Sequence, residues 1–147
     1  MGVRRGKPAG ARRCVALAVV ALVASGCSWV TRADVSSKGA QAETGAWDPV
    51  LSSDGRYVAF LARSSNLVPG DTNGKVDAFV RDNRTGAIER VDVSTAGAQS
   101  DADVQRPAMT PDGRYVAFAT TATTLQPGVS GTNIFVRDRM AGTTTRV

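Results

Sequence analysis

A seven-residue string occurs twice in this chain without change. Asp54-Gly-Arg-Tyr-Val-Ala-Phe60 returns as Asp112-Gly-Arg-Tyr-Val-Ala-Phe118, an offset of 58 residues. At the same offset, Asp34-Val-Ser36 matches Asp92-Val-Ser94, Gly39-Ala-Gln41 matches Gly97-Ala-Gln99, and Pro49 matches Pro107. Leu67, Pro69 and Gly70 likewise match Leu125, Pro127 and Gly128. Phe79-Val-Arg-Asp82 then matches Phe135-Val-Arg-Asp138, and Gly86, Arg90 and Val91 match Gly142, Arg146 and Val147, at an offset of 56. Identities spread over a whole unit at near-constant spacing mark a duplication. They impose a strong constraint: what one unit builds the other builds too, and the two stack.

Each unit reads as four short strands. In the first, a weak strand covers about residues 47–52. Asp54-Gly55 follows as a two-residue hairpin turn, a place that needs φ above zero. The second strand covers 56–62, and its alternation puts Val58 and Phe60 on one face and Tyr57 and Ala59 on the other. A polar loop with Pro69, Gly70, Asn73 and Gly74 comes next. The third strand is expected at 78–82, a turn at 83–86 and the fourth strand at 87–93. No helical period follows the N-terminal segment. The pattern predicts an all-β chain: two four-stranded antiparallel blades of a partial β-propeller, since solenoid repeats are usually shorter and contain helix.

The run Ser-x-Asp-Gly-Arg-Tyr-Val-Ala-Phe, then Asn66-Leu-Val-Pro-Gly-Asp-Thr-Asn-Gly74, then Asp-x-Phe-Val-Arg-Asp with Thr-Gly, resembles the WD40-like repeat of TolB-type propellers. The resemblance covers residues 34–147. It implies a propeller fold. Functions in the family range from periplasmic partner binding to propellers that precede a serine-peptidase domain. Closed propellers have roughly four to eight blades, whereas two repeats are present here. Two blades alone leave apolar outer faces bare. The expectation is a truncated product, with a ring of copies or a marginal two-blade sandwich as alternatives.

The N-terminal segment has another character. Residues 1–13 hold Arg4, Arg5, Lys7, Arg12 and Arg13 and no acid, and residues 14–24 are wholly apolar. Eleven residues fall short of the roughly 20 that cross a bilayer as a helix. With the small residues Ala24-Ser25-Gly26 they read as a cleaved secretory signal helix. Ala24-Ser-Gly-Cys27 resembles the bacterial lipoprotein lipobox, although Ala24 stands where Leu is usual. The resemblance implies that Cys27 becomes an acylated N-terminus, each CH₂ of acyl chain being worth about 0.8 kcal/mol in the bilayer. The alternative is a plain cleaved signal with Cys27 a free thiol. Arg12-Arg13 fits a twin-arginine signal poorly. The chain divides into a signal at 1–26, a linker at 27–33, and repeats at 34–91 and 92–147.

This division changes the meaning of the net charge. The whole chain is +5, with 18 basic and 13 acidic residues. All five excess positives lie before Cys14, so the mature chain is neutral and nothing points to nucleic acid. One of the two cysteines lies in the signal and the other is the lipid candidate, so the mature chain cannot form a disulfide.

Candidate chemistry is sparse. There is no histidine, which removes the usual general base and the Ser-His-Asp arrangement. Neither a Gly-x-Ser-x-Gly elbow nor a phosphate-binding Gly-Lys-Ser/Thr loop occurs. The candidate metal site is Asp71, Asn73 and Asp77. They place side-chain oxygens around Gly74 as calcium loops do, one ligand pair short of the full spacing. The competing expectation is a polar loop with Asx turns. Arg81-Asp82 and Arg137-Asp138 are expected as ion pairs or turn caps, the alternative being a charged rim for a partner. Asp101-Ala-Asp103 is expected as a solvated loop, Trp47 as blade core, and Trp29 at the membrane interface. No cofactor beyond a possible calcium is implied. The functional expectation is an exported, membrane-anchored binding or scaffold module at the cell envelope, without catalysis, that takes a protein or glycan partner. The alternatives are the propeller part of a larger peptidase or hydrolase, and a structural protein that self-associates.

Overall fold

The computed structural model describes residues 31–147. The signal, Cys27 and Trp29 therefore lie outside the described residues. Eight strands follow in order: β1 (Ala46–Leu51), β2 (Tyr57–Ala62), β3 (Asp77–Asp82), β4 (Ile88–Arg90), β5 (Val104–Met109), β6 (Tyr115–Thr120), β7 (Asn133–Asp138) and β8 (Thr143–Arg146). They form two antiparallel sheets, β1-β2-β3-β4 and β5-β6-β7-β8, with every strand beside its sequence neighbour. Among the described residues there is no helix. Over these residues the chain is all-β and forms two four-stranded blades.

The alternation read from the second strand holds, and it shows why both faces of a blade are apolar. Phe60 pairs across the ladder with Phe79, and Phe118 with Phe135. The two ring pairs stack at 5.8 and 6.1 Å between centroids. These phenylalanines mark one face of each blade, called here the leading face. The other face, the trailing one, carries Tyr57, Ala59, Leu61, Ala78 and Val80 in the first blade. The trailing face of the first blade packs on the leading face of the second. A single core there joins Ala59, Leu61, Ala78 and Val80 to Val104, Val116, Phe118, Leu125 and Phe135. A second core lies on the leading face of the first blade, where Ala33 and Ala42 pack with Val58, Phe60, Leu67 and Phe79.

Two details differ from the sequence reading. The Asp54-Gly55 turn is not a two-residue hairpin. The closing bond runs from the Ser52 N–H to the Tyr57 carbonyl, which leaves four residues in the loop. Asp54 Oδ1 accepts the Ser52 hydroxyl at 2.6 Å and the Arg56 N–H at 3.0 Å, so the aspartate organises the loop and Gly55 supplies the single left-handed residue, φ 68°. The fourth strand is also shorter than 87–93. It ends at Arg90 because the Asp92 carboxylate takes the Ala78 N–H at 3.1 Å in place of a ladder carbonyl.

The first strand of each sheet, an edge strand, shares an irregularity. Register slips between Trp47 and Val50 in β1, and between Gln105 and Ala108 in β5, so two residues oppose one. The bulged residues are Asp48-Pro49 and Arg106-Pro107. Asp48 and Arg106 have φ of 51° and 53°, a left-handed conformation unfavourable for any side chain and more so before proline.

Candidate functional site

The blade junction is fastened differently at its outer and inner ends. At the outer end the Tyr57 ring lies against Gly113, and a Cβ at that glycine would run into the ring. The Arg139 guanidinium sits 4.4 Å from the Tyr57 centroid and pairs with Glu89 at 2.6 Å. The Pro111 carbonyl accepts both the N–H and the hydroxyl of Ser53. Toward the inner end, Val104 donates its N–H to the Val76 carbonyl, while Asp103 accepts the Val76 N–H and pairs with Arg63 at 3.0 Å.

Asp101 and Asp103 are exposed, as expected of a solvated loop, but both carboxylates are engaged. Asp101 accepts the N–H of Thr123 at 2.8 Å and its hydroxyl at 2.7 Å, and those bonds hold its carboxyl down at about 2. Arg81 and Arg137 do not pair with their neighbours. Asp82 takes Arg56 at 2.8 Å and Asp138 takes Arg114 at 2.7 Å, each from the Asp-Gly-Arg loop. Asp82 also caps the Arg84 and Thr85 N–H groups, as expected of a turn cap. The Arg56 bond is the main reason that the Asp82 carboxyl lies at about 2.

A groove of about 380 Å³ opens at the inner end of the junction. Its apolar lining is Leu61, Val76 and Val104, and its rim holds Trp47, Asp48, Asp103, Gln105 and Arg106. Trp47 is 41% exposed, not core, because it sits on an edge strand with only Leu61 across from it. The left-handed bulges place Asp48 and Arg106, both exposed, on this rim. Sequence reasoning missed these two. The available signal was a proline at the same strand position in both units, preceded by residues of opposite charge.

The calcium candidates fall at a separate place, beneath the loop joining β2 to β3. Asp71, Asp77 and Asp92 are buried together, and Asp92 is the member that the sequence did not reveal. Arg90 pairs with Asp71 at 3.1 Å and donates to Gln99, whose amide reaches back to the Gly70 carbonyl. Asn73 presents its amide nitrogen to Asp77 at 2.7 Å and to the Ser100 carbonyl, and its oxygen accepts the Lys75 N–H. The Asx-turn expectation is thereby met. Among the described residues, no three acidic, cysteine or histidine side chains stand in metal-binding geometry. The Oδ2 atoms of Asp71, Asp77 and Asp92 find no partner. Three carboxylates beside one guanidinium cannot all stay ionised when buried. Burial pushes Asp92 well above the usual carboxylate range, and Asp77 beside it adds to the shift; Asp71 is raised by the same two causes. In the second repeat Val129 stands where Asp71 does and Asn133 where Asp77 does, so the cluster is built only once.

No family model matches the chain, and no curated protein does. Among solved structures it is similar to TolB from Acinetobacter baumannii, with a TM-score of 0.45 and 15% identity, over 74% of this chain and 22% of that one. The chain spans less than a quarter of the length of that protein.

Proposed function

We propose that this chain is an exported, lipid-anchored blade module that binds a protein or glycan partner at the cell envelope and performs no catalysis of its own. The observation that carries the binding reading is the inner groove. An exposed indole, an apolar lining and charges of both signs on strained backbone form a recognition surface, because aromatic faces supply contact area and the charges supply orientation. Export and anchoring are supported by the basic segment, the short apolar run and Cys27.

Two experiments test the reading. With Trp29→Phe as background, Trp47 fluorescence is titrated with peptides and with cell-wall oligosaccharides. A saturable change that Asp48→Ala and Arg106→Ala weaken is expected. The absence of any response across both panels would remove the groove from consideration. Separately, Cys27→Ala is expected to move the protein from the membrane fraction to the soluble envelope fraction. Unchanged partition would reject the lipid anchor.

A further inference from the structure

The loop joining β2 to β3 carries a dipeptide that occurs once in the chain, Asn73-Gly74. In such a pair the glycine nitrogen has open access to the asparagine Cγ, because no following side chain shields it. Gly74 is exposed and left-handed, with φ 64°, and no atom lies within 4 Å of the place a Cβ would take. The other asparagines, Asn66, Asn83 and Asn133, precede Leu67, Arg84 and Ile134, whose side chains crowd the nitrogen that would attack.

The Asn73 side chain fastens one repeat to the other. Its amide nitrogen donates to Asp77 Oδ1 at 2.7 Å in the first repeat and to the Ser100 carbonyl at 3.0 Å in the second. Thr72 donates its N–H to Gln99, and Gln99 donates to the Gly70 carbonyl, so the same loop meets the second repeat at several points. A little further along, the Val76 carbonyl takes the Val104 N–H at 2.9 Å and the Val76 N–H reaches Asp103, the bonds that close the inner end of the junction.

Both groups that face the Asn73 nitrogen are acceptors. An aspartate at 73 would set oxygen against oxygen in each of these contacts. It would also add a carboxylate beside the buried Asp71, Asp77 and Asp92, where Arg90 is the neighbouring cation. Only the bond from the Lys75 N–H to the side-chain oxygen at 73 suits an aspartate as well as an asparagine.

We infer that Asn73 is a site of spontaneous deamidation, and that the reaction unfastens the β2–β3 loop from the second repeat. The hydrogen bonds of the closed loop hold the amide, so the reaction proceeds when the loop lifts. The Gly74 nitrogen then bonds to Asn73 Cγ and gives up its proton. The bond from Cγ to Nδ2 breaks, and that nitrogen leaves with the proton as ammonia. Water opens the cyclic imide at either carbonyl, giving aspartate or isoaspartate, and nothing is oxidised or reduced. Isoaspartate lengthens the backbone by a methylene and so disturbs the Lys75 bond too. Loss of ammonia makes the release one-way.

The full chain is incubated in mildly alkaline buffer and mapped by peptide mass spectrometry, with enzymatic methylation of isoaspartate to tell the isomers apart. Asn73 should convert ahead of Asn66, Asn83 and Asn133. In the aged chain, hydrogen exchange at the Val76 and Val104 amides should quicken about tenfold or more, the scale set by losing a buried hydrogen bond. Two variants separate the added charge from the lost donor: Asn73→Ala removes the amide alone, whereas Asn73→Asp also supplies the carboxylate and should exchange fastest at these amides. A folded chain in which Asn73 stays intact, or converts no sooner than the other asparagines, overturns the inference. So does an aged chain in which both amides stay as protected as before, or an Asn73→Asp variant no looser than Asn73→Ala.

Discussion

Two faces of nearly the same composition meet opposite fates in this molecule. The trailing face of the first blade and that of the second share a tyrosine, an alanine and a valine at matching places, and both belong to strands of six residues in the same register. One is buried to within 2% at Ala59, Leu61, Ala78 and Val80; the other leaves Ile134 half exposed. The residues do not decide this; what lies over them does. The trailing face becomes core where a neighbouring unit lies over it, whereas the leading face of the first blade is buried with residues of its own unit, beside Ala33 and Ala42.

Deepest in the shared core, Phe118 gives the largest expected effect. Phe118→Ala should cost about 4 kcal/mol, a large part of a small domain's stability, and chemical denaturation measures it. The two Asp-Gly loops offer the sharpest contrast. Gly55→Ala meets only the left-handed backbone and should cost about 1 kcal/mol. Gly113→Ala also drives a methyl into the Tyr57 ring and should cost about 3 kcal/mol. Equal losses would show that the tyrosine seat contributes nothing to the junction. Matched valines come next: Val80→Ala should cost about 2 kcal/mol and Val136→Ala about 0.5 kcal/mol. Equal losses would show that cover by the neighbouring blade does not decide what these valines contribute.

The smallest effect is spread over several pH units and compares two sets of carboxyls. Asp71 and Asp92 have folded values above the unfolded carboxylate range, so the native chain binds the extra protons. The stability they contribute is full below about pH 4 and falls as pH climbs through their folded values. Asp82 and Asp101, at about 2, behave oppositely: their contribution is full above about pH 4 and is lost as pH drops toward 2. Urea denaturation across this range should show a maximum on the acid side of neutral. Asp92→Asn should flatten the decline above it and leave the acid limb unchanged. If calcium removes the decline and gives heat on titration, a cation rather than protons balances the cluster.

The blades were legible because their signals are local and doubled. Val58, Phe60 and the Asp-Gly loop announce a strand and a turn from adjacent residues, and the second copy repeats them. Arg56 with Asp82 was not legible, because Arg81 is the nearer basic residue along the chain while the ladder brings residue 56 across. Asp92 was equally hidden. It joins Asp71 and Asp77 only after β3 and β4 have folded back, so no spacing rule contains it. Trp47 was misread as core because hydrophobicity alone does not tell an edge strand from a central one. The strained bulges at Asp48 and Arg106 left only Pro49 and Pro107 as traces, since φ is set by pairing with β2 and β6.

Those bulges also determine the direction in which such a protein can grow. A left-handed residue followed by a proline breaks the row of free N–H groups along β1 and β5, and the outer strand β4 is only three residues long. Sideways recruitment of another strand, the route by which open sheets widen into fibrils, is thereby hindered at the inner margins and limited at that outer one. Enlargement is left to the axis perpendicular to the sheets, where one more unit of the same length adds one more layer. A gene segment that is duplicated whole can lengthen such a stack without redesigning any margin.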